Sequence, residues 1–197
     1  MAGHENCLAQ VLAAIDECNL KDPNQESDQG ISYPKEWLYG RRMSERLLQF
    51  EPHASEVLQI AARGQHIERW KIPRSQYPMD RVGYLKWRTS LYRFHADRVK
   101  VIMQSEGYDQ DSIGQVESLL LKKNIKSNQE MQTLEDVICL VFLEKYFLNF
   151  SEAQEEEKMI SILQKTWVKM SEKGQKEALS LTLSDKASAL VQKALQP

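Results

Sequence analysis

Apolar residues recur at helical spacing along most of the chain. Leu8, Val11, Leu12 and Ile15 form one such stripe and predict a helix over Glu5 to Cys18. Tyr33-Pro34-Lys35 opens a second helix that runs toward Phe50. Pro52 stands near the start of a third, with Val57, Ile60 and Ala61 turned inward and an expected end near Trp70. Pro73 and Pro78 disfavour α geometry in the residues before them, so the stretch from Lys71 to Arg81 reads as an irregular loop. Gly83 precedes a long helix to about Glu106. Further helices are expected at Ile113–Leu121, Leu134–Phe150, Glu155–Ser171 and Asp185–Ala194. Asp22 to Gly30 reads as a polar loop, and nothing alternates with period two for long. The expected fold is all-α, a single multi-helix domain over 1–197. Its parts are an N-terminal helix and polar loop over 1–30, a core over 31–180 and a C-terminal helix over 181–197.

Composition adds limits. The chain has 197 residues, 42 % of them hydrophobic and 27 % charged, which suits a packed globular protein and excludes general disorder. The longest apolar run, Val137 to Leu143, is seven residues. A bilayer crossing takes about 20, so no membrane partner is expected. No basic stretch followed by an apolar block opens the chain, and three cysteines leave an odd number. A reducing, cytoplasmic (or nuclear) setting is the expectation.

The net charge of −2 conceals a basic centre. Residues 61–100 carry ten Lys and Arg against Glu68, Asp80 and Asp97, a local balance of +7. Arginine at this density suits a phosphate-bearing ligand, because the guanidinium fork matches phosphate oxygens. Trp70, Tyr77, Tyr84, Trp87 and Tyr92 interleave with these arginines, either as stacking surfaces or as core aromatics with polar tips outward.

His66 lies three residues from both Arg63 and Arg69, which predicts one shared helix face. His95 follows Arg88 by seven residues, within about 20° around the axis. Asp136 stands at the expected head of an otherwise apolar helix, where a carboxylate caps, pairs with an arginine or binds a cation. The functional expectation is that His66, His95 and Asp136 converge on a divalent transition metal (Zn, Mn or Fe). Glu135, Arg69 and Arg88 are the expected catalytic companions. Arg63, Arg74, Arg81, Trp70, Trp87, Lys165 and Lys169 are the expected substrate contacts. The competing reading makes Asp136 a helix-dipole or arginine partner and the basic segment a metal-free binding surface.

Gln65-His66-Ile67-Glu68-Arg69-Trp70-Lys71-Ile72-Pro73-Arg74 and Tyr77-Pro78-Met79-Asp80-Arg81-Val82-Gly83-Tyr84-Leu85-Lys86-Trp87-Arg88 resemble the uncharacterised family numbered 4202 among the domains of unknown function. Phe94-His95-Ala96-Asp97, Gln132-Thr133-Leu134-Glu135-Asp136 and Lys165-Thr166-Trp167-Val168-Lys169-Met170-Ser171 fit as well. A more distant resemblance, carried by the order His66, His95, Asp136, is to the HD-type metal-dependent phosphohydrolases and their oxygenase branch. Ala96 follows His95 where that pattern has aspartate, which leaves two histidines and one carboxylate. The resemblance implies a metal-dependent hydrolase acting on a phosphorylated small molecule, nucleotide or RNA. A non-haem iron oxygenase and a non-catalytic RNA- or phosphate-binding helical module are the alternatives.

Overall fold

The structure, a computed structural model, describes residues 2–123, 128–147 and 155–195. It is mostly helical, as the spacing predicts, with one short hairpin among the described residues. The chain divides into two compact units, Met1–Met131 and Gln132–Pro197. Among the described residues no helix is long and apolar enough to cross a membrane.

In the first unit α1 (Ala2–Asn19) buries Val11 and Ile15 completely, two members of the predicted stripe. The expected polar loop is instead an antiparallel hairpin, β1 (Gln25–Asp28) on β2 (Ile31–Pro34), with Gln25 opposite Pro34 and Asp28 opposite Ile31. Its two-residue turn needs positive φ at both positions. Gly30 supplies this freely at 81°, and Gln29 accepts it at 49°. Four-residue strands without apolar alternation leave almost no periodic signal, which is why the sequence reads as loop. Arg42 ties the hairpin to the following helix through Glu26 and Asp28.

That helix, α2 (Lys35–Phe50), begins after Pro34, which offers no side-chain cap. Asp22 takes over the task from a distance, its Oδ2 accepting the Glu36 N–H at 3.0 Å. Next, α3 (Glu56–Arg63) starts at Ser55, whose hydroxyl accepts the Leu58 N–H, and stops at Gly64. The expected continuation to Trp70 fails. At Gly64 the chain passes so close to Val99 that a Cβ would sit 2.6 Å from its methyl carbon. The following turn carries Ile67, fully buried, and Glu68 in the left-handed region at φ 51°. Asn19 accepts the Glu68 N–H at 2.8 Å, and the Glu68 carboxylate takes Lys71 and Arg98, which holds this turn in place. Arg63, His66 and Arg69 therefore do not share a helix face.

Two short 3₁₀ turns, Arg69–Lys71 and Arg74–Gln76, occupy the predicted irregular stretch. The long helix α4 (Arg81–Ser105) is capped by Asp80 and buries Leu91, His95, Ala96, Val99 and Met103. Its companion α5 (Gln110–Leu120) is capped by Asp109.

The helix α6 (Gln129–Val141) starts earlier than expected and passes into a π turn over Phe142–Tyr146. Its expected continuation to Phe150 lies outside the described residues. Asp136 is thus in the middle of the helix and not at its head. Beyond it lie α7 (Glu156–Trp167), α8 (Glu172–Ser180) and α9 (Asp185–Leu195). The helix expected to reach Ser171 ends at Trp167, and Ser171 opens α8, an element the spacing does not predict.

Candidate functional site

His66 and His95 meet in the first unit, one from the turn after α3 and one from the middle of α4. Their ring centroids are 6.1 Å apart. Proton positions follow from the partners. Arg69 Nη1 lies 2.9 Å from His66 Nε2, and a guanidinium only donates, so Nε2 carries a lone pair. The ring proton then sits on Nδ1 and is donated to Glu36 Oε2 at 3.0 Å. Tyr39 stacks on the imidazole at 3.8 Å, nearly parallel. His95 repeats the pattern. Its Nδ1 lies 2.8 Å from the Ile67 carbonyl, which only accepts, so Nδ1–H donates there. The remaining Nε2 lone pair is buried without a hydrogen-bond partner among the described residues.

Both imidazoles are held neutral. Burial lowers His66 well below the ordinary histidine range, and the nearby charges of Arg69, Lys122 and Lys35 push it the same way. Burial, then His66 and Arg69, push His95 down to about 3. Glu36 moves upward through burial, opposed by Arg69 and Lys35. Glu36 is fixed through its backbone too, because Asn19 donates to its carbonyl at 3.4 Å while Asp22 takes its N–H.

Cations and aromatic rings surround this pair. Arg69 Cζ lies 4.8 Å from the Trp87 ring, and Trp87 is anchored by its indole N–H on the Ile72 carbonyl at 2.8 Å. Arg88 lies over Tyr84 and Tyr92 at 5.7 and 5.4 Å and donates to the Tyr92 hydroxyl. Lys122 Nζ reaches the same Tyr92 ring at 5.7 Å.

Two other expected site residues, Arg63 and Arg74, have structural partners. Arg63 forms a two-pronged pair with Asp16 at 2.7 and 2.6 Å, a tie between α1 and α3. Arg74 donates to the Tyr77 and Asp80 carbonyls and clamps its own loop, while also lying 5.9 Å from Trp87. Arg81 is exposed at the first position of α4, and Trp70 is half-buried in the 3₁₀ turn.

In the second unit Asp136, 2 % exposed, serves a neighbouring helix. Its Oδ1 accepts the Ser171 N–H at 2.8 Å and Gln132 Nε2 at 3.1 Å, and its Oδ2 accepts the Ser171 hydroxyl at 2.5 Å. Ser171 is the N-cap of α8 and accepts the Gly174 N–H, so the carboxylate stands at the positive end of that helix. Gly174 makes this possible, since a Cβ there would lie 2.7 Å from the Asp136 carboxyl carbon. Lys169 Nζ is 3.7 Å from Glu135, and Lys165 is exposed on α7. Among the described residues no group of three or more His, Cys, Asp or Glu side chains is arranged to hold a metal ion.

Sequence reading missed Glu36 and Lys122. An acidic residue in the first turn after a proline reads as a dipole partner, and Lys122 follows the end of a helix that shares no motif with His66. No curated protein and no solved structure matches the chain. Residues 9–191 match the family described as Domain of unknown function (DUF4202), and the chain belongs to that family.

Proposed function

We propose that the first unit binds a phosphorylated small molecule or nucleotide at the centre formed by Glu36, His66, Arg69 and His95. One observation carries this reading. The Arg69 guanidinium rests on a neutral imidazole and an indole, where a phosphate oxygen would be a stronger partner than either. Lys35 and Lys122 add positive charge at the same imidazole. Calorimetric titration with a nucleoside phosphate at low salt tests the proposal. Wild type is expected to bind, and Arg69→Gln to bind about tenfold more weakly, a loss of ~1.4 kcal/mol, with unchanged helical content by circular dichroism. Absence of binding by wild type at low salt overturns it.

Metal-dependent hydrolysis is a second reading, favoured by a different observation. Both histidines anchor Nδ1–H, one on a carboxylate and one on a backbone carbonyl, and hold an Nε2 lone pair inward, the arrangement that orients metal-ligating histidines. His66 and His95 would hold the ion with Glu36 as the orienting carboxylate. Arg69 would have to leave the His66 lone pair. A divalent metal, when bound, supplies hydroxide near neutral pH. The Asp136 expected as third ligand is engaged with Ser171, so no step is assigned to the ion. Elemental analysis of protein purified without chelator tests this reading. Near-stoichiometric Zn, Mn or Fe that disappears in His95→Ala supports it, and traces that added metal does not raise overturn it.

A further inference from the structure

We propose that the exposed start of α4 is a peripheral docking surface for an anionic lipid bilayer. From Arg81 to Lys86 only Gly83 is buried. Apolar side chains are left in water there. Met79, just before the helix, is 80 % exposed, Val82 60 % and Leu85 50 %. Aliphatic groups gathered so openly mark a surface that something covers.

Cations flank them in a regular way. At 100° per residue, Leu85 and Val82 lie about 40° and 100° around the axis from Arg81, and Arg93 and Lys86 about 120° and 140°. An apolar ridge therefore runs between positive charges along about 18 Å of helix. Arg81, Lys86 and Arg93 are all exposed, and among the described residues their side chains have no ion pair or hydrogen bond. The acids closest in sequence do not answer them. Asp80 is engaged as the cap of α4, its carboxylate accepting the Gly83 N–H at 2.6 Å. Asp97, one turn beyond Arg93, forms no ion pair with it.

Charge and shape together select the occupant. Three unpaired cations call for an anionic partner. The ridge is convex and about 18 Å by 10 Å, far short of the ~800 Å² that each side of a stable protein interface buries. A nucleic acid gains little from aliphatic side chains, and the rings of Tyr84 and Tyr92 already hold the Arg88 guanidinium. An anionic bilayer uses both features. The aliphatic groups reach the acyl boundary, while the longer Arg and Lys stems keep their charges among the headgroups. Among the described residues no helix is long and apolar enough to cross a membrane, but surface contact needs no crossing segment.

Sedimentation of the full chain with vesicles at low salt is the test. Phosphatidylcholine vesicles containing about 30 mol % phosphatidylserine are expected to carry the protein down, and pure phosphatidylcholine vesicles are not. Two variants are compared: the pair Val82→Ser and Leu85→Ser, and the triple Arg81→Gln, Lys86→Gln and Arg93→Gln. Each is expected to weaken partitioning about fivefold or more. Circular dichroism should be unchanged in both, because all five side chains are exposed. Absence of binding to the anionic vesicles overturns the proposal, as does binding that neither variant weakens. Weakening by the glutamines alone, with the serine pair behaving as wild type, overturns it too. If an oligouridylate binds more tightly than the vesicles with that same dependence, the surface is one for nucleic acid instead.

Discussion

Each unit of the chain places ionisable side chains where water is scarce, and the two resolve the difficulty in opposite ways. Around Asp136 both carboxylate oxygens accept from neighbours in the same unit, and the carboxylate secures the start of α8. Around His95 a buried lone pair is left over, and beside it cations are stacked on neutral rings. A closed network of the first kind stabilises architecture, because its charge is compensated within the fold. An open one of the second kind costs stability. Residue type alone does not separate the two cases. Partner accounting does.

The sharpest way to break this contrast is Asp136→Ala. It strands the Ser171 hydroxyl and N–H at the head of α8 and is expected to cost ~3 kcal/mol. Denaturant midpoints with and without chelator check it, and the loss should be the same in both. A loss seen only without chelator would return Asp136 to a metal site.

His95 provides the second test, through pH. Its folded pKa lies below the unfolded value of 6.5, so the unfolded chain binds the extra proton. Stability is complete above 6.5 and falls as pH drops toward about 3, with a slope of up to ~1.4 kcal/mol per pH unit from this group. Glu36, raised by burial, acts in the opposite sense over the upper part of the acid range. Comparing wild type with His95→Leu isolates the histidine: the variant should show the shallower acid limb, together with a pH-independent loss of about 1–3 kcal/mol from stranding the Ile67 carbonyl. An unchanged acid slope would mean that His95 is not the buried base described.

The smallest effect is expected at Lys169→Met. Its ammonium is half exposed and 3.7 Å from Glu135, so less than ~0.5 kcal/mol should be lost. A larger loss would give Glu135 a role the contrast does not assign to it.

The positions at which sequence reading succeeded are those where periodicity is strong. The stripe of α1, the length of α4 and the all-round burial of α6 follow directly from apolar spacing. It failed where backbone geometry depends on distant partners. Val99 leaves no room for a Cβ at Gly64 and Asn19 holds the left-handed Glu68 beyond it, and α3 looks continuous until those partners are known. The two histidines were legible as a pair because both sit among arginines. Their carboxylate was not, since Glu36 is brought in by Asp22 and Asn19, neither of which carries any mark of that task in the sequence.

Asn19 bears on where the chain can be cut. Its one amide group binds the Glu36 carbonyl and the Glu68 N–H, segments separated from it by 17 and 49 positions. The first helix is therefore no appendage that a shortened version could shed. A fragment beginning just beyond it would retain every cation named here, together with both histidines. It would lack the side chain that sets Glu36 and the His66 turn at a fixed distance from each other.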